Sequence, residues 1–519
     1  MSRRGVRYYR SMPPPEEEWA GDYAAIAGAG FELVLIPVPL GGQRELVPLL
    51  RQAALAAVHG LSLVATPDAT TRLDAEDVRA WAGAVRKAIP GLPLLVPVER
   101  PDGALDVEGV EWGFVAGDLL PHQVADRVRA FLGGRGLWIV GLPTDTAGQV
   151  RLGALSGLLV PDATMVYEAW RPDLEAGPSI RPGLALPDGS PSPRLRELER
   201  CDALVGRCPG LNDARPLPPE AAVVLVSEAA GFWAAAGSPT VYWGAVDAAG
   251  RALASRGAHV EFAPPEALSG YPVAYLPMPF ALSAATADAL RRYVEAGGCL
   301  VAEAGLARFD ELGRTARRTP LHGLDEVFGA RALDVPEPLV GEPPPTFAGR
   351  RSPWPCCGVR EPLEATTGRV KATFSDGTAA IVENACGGGA TRLIGTHPSR
   401  GAALDKDRRY AQVILDSLAF GRVRPRVLTT APQTVARLLE VGGGHVLCAF
   451  NIGATLQEAK LRVSRAVGGF RRAINLATGK QQRLLNNALR TRLEPGEGLL
   501  LRLNGFRRFG AAQRGIQTA

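Results

Sequence analysis

The stretch ELVLIPVPLGGQRELVPLLRQAALAAVHGLSLVATPD, residues 32–68, contains the pattern that decides the fold. Its two apolar runs, residues 32–38 and 61–68, are continuous rather than alternating, which is typical of strands buried on both faces. Between them, residues 44–60 read as a helix that ends at Gly60, a common helix terminator. A strand, a helix and a second strand in this order predict a βαβ unit with a parallel sheet.

The same alternation of strand and helix continues from residue 5 to about residue 215. It predicts seven strands, at residues 5–10, 32–38, 61–68, 92–99, 109–118, 136–143 and 163–171. So many successive units favour a closed barrel over an open sheet, but a (β/α)₈ barrel usually takes roughly 250 residues. We therefore predict a shortened TIM-like barrel over residues 1–215 that lacks one β/α unit.

Two further domains are predicted after a proline-rich linker at residues 207–220. Residues 216–424 combine buried strands with helices and predict an open, doubly wound α/β domain of the flavodoxin-like kind. Residues 425–505 contain short strands with Gly and Asn turns, which predict a small β-sandwich. The last residues, 506–519, have no pattern and are predicted to be disordered.

Composition and charge exclude several classes of protein. The 519 residues carry a net charge of +5 with no long run of one sign, which argues against a nucleic-acid partner. The short cluster RRGVRYYR, residues 3–10, leaves a phosphate or membrane patch open as an alternative. No segment reaches the ~18 apolar residues of a membrane span, and the start has no apolar signal region. We therefore expect a cytoplasmic protein with no membrane contact.

The seven cysteines have no CxxC spacing and are expected to be reduced, mostly buried thiols. No group of Cys and His residues has the spacing of a zinc site, so no metal is expected. The runs GGG at 387–389 and 442–444 are predicted to be hairpin turns rather than phosphate loops, because neither opens a helix. We expect no cofactor.

Four stretches together resemble one family. They are GVRYYRSMPPPEEEWAGDYAAIAGAGFELVLI (5–36), VYEAWRPDLEAGPSIRPGLALPDGSPSPRLREL (166–198), RALASRGAHVEFAPPEALSGYPVAYLPMPFALSAATADALRRYVEAGGCLVAE (251–303) and ATGKQQRLLNNALRTRLEPGEGLLLRL (477–503). In this order they resemble the barrel start, the barrel end, the trimerisation domain and the C-terminal β-domain of family 42 glycoside hydrolases, the bacterial β-galactosidases. The resemblance implies a β-galactoside-like carbohydrate ligand and self-association, most simply as a homotrimer.

The sequence departs from this family where its chemistry occurs. Members that retain configuration use two glutamates, one in an Asn-Glu pair after the fourth strand and a nucleophile at the end of the seventh. Residues 1–215 contain no Asn-Glu pair, and the missing unit is placed between residues 68 and 92. Gly141 stands where the resemblance puts the nucleophile. We therefore expect a pseudoenzyme in which retaining hydrolysis is lost or altered, with a carbohydrate-binding or assembly role.

Carboxylates at other predicted strand ends provide an alternative. Glu168, Asp145 and Glu99 are the candidate catalytic residues, and Asp68 and Asp118 occupy similar positions. Barrel enzymes place their catalytic groups at these ends. An active glycosidase would use Glu168 with Asp145 or Glu99, and it would need two carboxylates about 5–10 Å apart across an open cleft.

Four residues are candidates for binding the sugar: Trp170, Arg171, Trp138 and Tyr9. Alternation along a strand predicts that Glu168 and Trp170 share a face at the end of the barrel. An aromatic ring there could stack on a sugar. The plainer alternatives are that Glu168 forms a structural ion pair, for example with Arg171, and that the tryptophans fill the core. In that case the barrel would be a purely structural support.

The predicted second domain also lacks a nucleophile. A glutaminase would need a Cys at a tight elbow between strand and helix, and the expected site, LPMPF at residues 276–280, has none. We therefore expect no catalysis in this domain.

Overall fold

The computed structural model describes residues 3–10, 13–39, 46–68, 73–98, 107–108, 110–116, 120–129, 136–172, 181–315, 318–338, 346–347, 353–404 and 407–505. The chain forms two compact units. The first comprises Met1–Leu217 together with Gln433–Ala519, and the second comprises Pro218–Pro432. The predicted disordered tail, 506–519, and the candidates Glu99 and Asp118 lie outside the described residues.

A ring of parallel strands begins the first unit. Within the described residues it contains β1 (Arg3–Arg7), β2 (Leu33–Val38), β3 (Ser62–Pro67), β4 (Leu95–Val98), β5 (Glu111–Val115), β6 (Leu137–Leu142) and β7 (Ala163–Tyr167). Their order is β3-β2-β1-β7-β6-β5-β4, and a parallel bridge between Ala65 and Leu94 joins β3 to β4. All seven predicted strands are present, which confirms a shortened TIM-like barrel.

Helices follow most of these strands. They are α1 (Glu16–Gly28), α2 (Leu46–Val58), α3 (Ala75–Ala88), α4 (Pro121–Val128), α5 (Ala147–Ser156) and α6 (Pro193–Gly206), with a 3₁₀ turn at Gly157–Leu159. Asp74 begins α3 by accepting hydrogen bonds from the backbone N–H groups of Glu76 and Asp77. Thr146 begins α5 with a capping box that includes Gln149. These side-chain caps fix where two barrel helices start.

The ring is least paired between β3 and β4. A single bridge joins these two strands, whereas every other neighbouring pair shares three or more residue pairs in the described chain. The Ala65 N–H donates to the Pro93 carbonyl at 3.0 Å across this junction. The junction lies where the sequence analysis places the missing β/α unit.

Side chains fill the barrel interior. Leu33, Leu35, Val64, Leu95, Trp138, Val140 and Val166 form one buried cluster inside the ring. A Cβ placed on Gly113 would lie 2.8 Å from Val140 Cγ1 and 3.2 Å from Leu95 Cδ2. Because a barrel of fewer strands has a smaller diameter, β5 comes too close to its neighbours for a side chain at this position.

The C-terminal segment of the first unit is entirely β. Its strands are β23 (Thr434–Val441), β24 (Gly444–Asn451), β25 (Gln457–Val463), β26 (Arg472–Asn475), β27 (Gln481–Arg483), β28 (Ala488–Leu493) and β29 (Gly498–Asn504). The short strand β8 (Arg215–Pro216), from the N-terminal part of the unit, pairs with β23. One antiparallel sheet has the order β27-β26-β29-β24-β23-β8, and β25 pairs separately with β28. Leu439, Val446 and Phe450 belong to the same apolar core as the barrel helices, so this segment packs against the barrel.

The second unit contains a sheet that is parallel at its centre. Its elements are α7 (Ser227–Ala235), α8 (Pro239–Ala254), α9 (Ala284–Glu295), α10 (Leu324–Phe328), α11 (Pro398–Ala403), α12 (Arg408–Phe420), β9 (Ala221–Val224), β10 (Val260–Ala263), β11 (Val273–Leu276), β12 (Cys299–Glu303), β13 (Ala330–Ala332), β14 (Glu337–Pro338), β15 (Thr346–Phe347), β16 (Trp354–Pro355), β17 (Val359–Arg360), β18 (Leu363–Ala365), β19 (Arg369–Thr373), β20 (Ala379–Cys386), β21 (Gly389–Ile394) and β22 (Val427–Thr429), with a 3₁₀ turn at Pro265–Ala267. The parallel strands have the order β10-β9-β11-β12-β21, as in flavodoxin-like folds. This confirms the predicted α/β class.

No helix in the described part of the chain is long and apolar enough to cross a membrane.

A buried carboxyl group links the stability of the second unit to pH. Glu361 is almost completely buried, and its Oε2 accepts a hydrogen bond from the Gly305 N–H at 2.8 Å. Burial raises the pKa of Glu361 to about 7, although the Gly305 hydrogen bond opposes this rise. The folded protein therefore holds a proton on Glu361 at a pH where the unfolded chain, with its ordinary carboxyl pKa, has lost it.

We predict that Glu361 lowers the free energy of unfolding as pH rises from about 4.5 to about 7, by roughly 3 kcal/mol in total. The stabilisation by protonated Glu361 is complete at a pH below the pKa of this carboxyl in the unfolded chain. It is lost at a pH above the pKa of the same carboxyl in the folded protein. Urea denaturation between pH 5 and pH 8 should show a flatter pH dependence for Glu361→Gln than for the wild type. Glu311→Gln, which changes an exposed carboxyl group, is the control. Equal pH slopes for wild type and Glu361→Gln would contradict the assignment.

Candidate functional site

The C-terminal ends of the seven parallel strands form the mouth of the barrel, at Arg7, Val38, Pro67, Val98, Val115, Leu142 and Tyr167. Barrel enzymes build their sites at this end. Arg7 is paired with Leu35 in the β1–β2 register, and Leu35 belongs to the interior cluster. Paired residues on neighbouring strands share a face, so the Arg7 side chain also points inward.

Glu168 lies in the mouth, one residue after β7, with its backbone N–H bonded to the Leu142 carbonyl. Its Oε1 is 3.3 Å from Arg10 Nε and 3.7 Å from Arg7 Nη1. The Arg10 Nη1 also donates to the Arg181 carbonyl at 3.2 Å. The side chains of Arg7, Arg10 and Glu168 are 21%, 13% and 20% exposed. Glu168 therefore forms ion pairs with Arg7 and Arg10 rather than with Arg171, in agreement with the alternative of a structural ion pair with a basic residue.

Gly141 lies directly beside this carboxylate. Its φ is +70°, in the left-handed region that glycine adopts without strain, and the β6–β7 register is irregular between Ile139 and Leu142. A Cβ built on Gly141 would lie 3.3 Å from Glu168 Oε2 and 3.5 Å from Val115 Cγ1. The carboxylate of the last strand thus occupies the space into which a side chain at position 141 would extend.

Trp170 and Arg171 turn away from the mouth. Because β7 ends at Tyr167, strand alternation does not continue to Trp170, and the predicted shared face with Glu168 is wrong. Trp170 is 1% exposed and packs edge-on against Phe31, with ring centroids 6.1 Å apart. No face of its indole is open for a sugar to stack on.

Asp22 on α1 organises this region. It accepts hydrogen bonds from Tyr8 Oη at 2.7 Å, from Trp170 Nε1 at 3.4 Å and from Arg171 Nε at 2.9–3.0 Å. Arg171 Nη2 also lies 2.8 Å from Glu18 Oε2. Burial, reinforced by the Asp22 charge, raises the pKa of Tyr8. In the structure Arg171 therefore holds α1 against the end of the barrel rather than standing free on its rim.

The other sequence candidates lie in different places. Trp138 is one residue into β6, at the end of the ring opposite the mouth, where it belongs to the interior cluster. Tyr9 is buried and packs on Tyr8 at 5.5 Å, and burial raises its pKa. Asp145 is exposed just before α5 and acts electrostatically on Arg194. No described contact joins Asp145 to Glu168.

Parts of the sequence are similar to known β-galactosidases. Residues 220–414 match the family model described as the beta-galactosidase trimerisation domain. Beta-galactosidase BgaH of Haloferax lucentense is 27% identical over 273 residues, which cover 50% of this chain and 39% of that protein. In these regions the chain is similar to β-galactosidases. The match thus spans well under half the length of this curated relative.

Solved structures support the relationship at the level of fold. A β-galactosidase from the Antarctic haloarchaeon Halorubrum lacusprofundi has a TM-score of 0.68 at 17% identity, covering 96% of this chain and 99% of that one. Gan42B, a GH42 β-galactosidase from G. stearothermophilus, has a TM-score of 0.63 at 14% identity, covering 83% of this chain and 66% of that one. At these identities the likeness establishes the shared architecture.

The trimerisation-like domain has an elbow but no Cys there. Met278 follows β11 with a φ of +44°, a strained conformation for a non-glycine residue. Its N–H donates to Glu303 Oε2 at 3.1 Å. A methionine thioether carries no ionisable proton and cannot act as the thiolate nucleophile of a glutaminase.

Three further residues of the mouth, Arg7, Arg10 and Thr66, were not predicted from the sequence. The basic cluster at residues 3–10 was the available signal for the two arginines, but only the register of β1 shows that Arg7 faces inward. Thr66 is two residues after the interior residue Val64 and is 1% exposed, so it lies on the same inward face. Nothing in the local sequence around Thr66 distinguishes it from other threonines of the chain.

We predict that Gly141→Ala lowers the free energy of unfolding by roughly 1–3 kcal/mol, because a Cβ at this φ is strained and crowds Glu168. Gly83→Ala is the matched control, since a Cβ on this α3 residue meets nothing within 4 Å. An alanine inside a helix should stabilise by roughly 0.5–1 kcal/mol. Urea denaturation measures both variants, and a Gly141→Ala variant as stable as wild type would contradict the backbone assignment.

Proposed function

We propose that this protein binds a carbohydrate at the barrel mouth and does not hydrolyse β-galactosides by the retaining route. The proposal rests on one observation: Gly141, which has no side chain, lies beside the carboxylate of Glu168. Retaining hydrolysis needs two carboxyl groups about 5–5.5 Å apart, one to protonate the leaving oxygen and one to attack carbon. The expected nucleophile position has no side chain, and the neighbouring carboxylate comes from a different strand.

Glu168 is well placed for binding. Its Oε1 faces two guanidinium groups, which hold the carboxylate in one orientation. Its Oε2 accepts no hydrogen bond from the residues that the structure describes and points beside Gly141. A carboxylate oxygen fixed in this way can accept a hydrogen bond from a sugar hydroxyl. Binding a neutral sugar at this position requires no covalent step.

A relocated glycosidase is the second candidate function. The free Oε2 beside Gly141 favours it, because a nucleophilic carboxylate also needs one accessible oxygen. The second carboxyl group would then be Asp145 or Glu99. A fluorosugar that traps covalent glycosyl-enzyme intermediates separates the two proposals, since only an active retaining enzyme forms the adduct. Mass spectrometry of the intact protein reads out the result.

We predict that Glu168→Gln weakens sugar binding by roughly 1–3 kcal/mol, the usual value of a lost charge-assisted hydrogen bond. Isothermal titration calorimetry with galactose measures this change. Glu32→Gln, which alters an exposed carboxylate just before β2, should leave affinity unchanged. A variant that binds normally but loses hydrolysis of chromogenic galactosides would instead show the relocated glycosidase.

Self-association is the second part of the proposal. The match of residues 220–414 to a trimerisation domain supports an oligomer, with a homotrimer as its simplest form. Strand edges left by a shortened barrel would also benefit from cover by another copy.

Light scattering at micromolar concentration should give a mass close to three times the 54.8 kDa of one chain. Dilution across a wide concentration range should separate a stable trimer from a transient one. A mass of one chain at all concentrations would contradict this proposal and leave carbohydrate binding unaffected.

The cysteines support a cytoplasmic location. No disulfide joins any of the seven in the described chain, and Cys201, Cys208, Cys356 and Cys448 are buried. Proteins of oxidising compartments commonly pair their cysteines, whereas cytoplasmic proteins keep them reduced.

A further inference from the structure

We propose that the ligand of the barrel mouth is an anionic saccharide, whose carboxylate or sulfate group is bound by Arg7 and Arg10. This inference rests on the proposed carbohydrate-binding function and names its ligand class. It depends on how the charges and hydrogen-bonding groups of the mouth are used within the described residues.

The two arginines are only partly compensated. Arg7 and Arg10 share one oxygen of Glu168, and the 3.7 Å separation at Arg7 is too long for a hydrogen bond. Within the described residues Arg7 donates no hydrogen bond, although a guanidinium has five N–H donors. About four-fifths of its side chain is buried. A largely buried cation with unused donors is costly for the free protein and is stabilised when an anion binds.

Asp68 is a further carboxylate near Arg7. It follows β3 at the rim, and its desolvation raises its pKa while Arg7 opposes that rise. Among the described residues it forms neither an ion pair nor a hydrogen bond with Arg7. Within the described residues Asp68 therefore uses none of the Arg7 donors.

Acceptors and hydroxyls lie beside these donors. Glu168 Oε2 is free to accept from a sugar hydroxyl, as described above. Thr66 Oγ1 is buried, faces inward from β3 and has no hydrogen-bond partner in the described part of the chain. The mouth thus combines donors for an anion with groups that can bind sugar hydroxyls.

A neutral galactoside would use this arrangement poorly. It offers hydroxyls to the two guanidinium groups, whereas a carboxylate or sulfate offers charged oxygens that match the arginine fork. Charge-assisted hydrogen bonds are roughly twice as strong as neutral ones. Because Arg7 uses none of its N–H donors within the described residues, although Glu168 and Asp68 lie near it, the mouth favours a ligand that brings charged oxygens to these donors.

The experiment is calorimetric titration of the full-length protein with D-galacturonate, galactose 6-sulfate and galactose. We expect at least one anionic sugar to bind roughly 10- to 100-fold more tightly than galactose, with a difference that shrinks as salt is raised. The two anions separate a carboxylate-bearing from a sulfate-bearing ligand. Galactose is the neutral reference.

Arginine variants test whether Arg7 and Arg10 bind the anionic group. Arg7→Gln and Arg10→Gln should each weaken anion binding about tenfold or more while changing galactose binding much less. Arg7→Lys keeps the charge but loses the fork, and should fall between wild type and Arg7→Gln. Arg51→Gln removes an exposed arginine that pairs with Glu16 on the barrel helices, and should have no effect. Near-UV circular dichroism checks that each variant is folded, and two separate arginines keep the test valid if one variant misfolds.

Three outcomes would contradict the inference in different ways. Equal affinity for galactose and both anions would overturn the anionic ligand and leave carbohydrate binding standing. Preferential anion binding that survives both arginine substitutions would overturn the assignment to Arg7 and Arg10. If none of the three sugars binds, both this inference and the proposed function fail.

Discussion

Closing a parallel barrel with one strand fewer than usual is the constraint on which the site depends. A smaller ring has a narrower interior, and β5 accommodates this with Gly113, whose absent Cβ would collide with Val140. The same crowding acts at the mouth, where the Glu168 carboxylate of β7 lies against Gly141 of β6. A side chain at position 141 and an inward Glu168 would compete for one space. The absence of a side chain at position 141 and the inward placement of Glu168 are therefore compatible within a single geometry.

The strand pattern was predictable because buried parallel strands are continuous apolar runs. Each of the seven runs in the barrel segment became a strand, and the least paired junction lies between β3 and β4. Sequence spacing also placed Gly141 and Glu168 at the ends of two strands, which the structure brings together. These features depend on local pattern and chain order, which a single sequence contains.

Side-chain direction beyond a strand end was not predictable. Period-two alternation would place Trp170 with Glu168, but β7 ends at Tyr167 and the chain then turns toward Asp22. Three groups from distant positions, Tyr8, Trp170 and Arg171, converge on that one buried carboxylate. Such a convergence depends on tertiary packing, which no spacing rule contains. The partners of Glu168 were missed for the same reason, since Arg7 and Arg10 precede it by more than 150 residues.

Buried carboxylates of the second unit are extensively hydrogen-bonded. In the second unit, Glu303 accepts hydrogen bonds from Tyr275 Oη, the Met278 N–H, and both the N–H and Oγ of Ser399. Glu228 likewise accepts from Ser283 and Thr286 near the start of α9, and these bonds outweigh its burial and lower its pKa to about 2.

These networks lie at the C-terminal ends of the sheet strands, where open α/β folds bind their ligands. The oxygens of Glu303 are well satisfied, although both ring nitrogens of His397, whose Nδ1 lies 3.6 Å from Glu303 Oε2, are buried without a hydrogen-bond partner in the described chain. In the barrel mouth it is charged groups, the Arg7 donors and Glu168 Oε2, that are unused within the described residues. Burying unsatisfied polar groups costs free energy, which is the physical ground for proposing a ligand at the mouth. The barrel, although shortened, is therefore the unit in which to look for function.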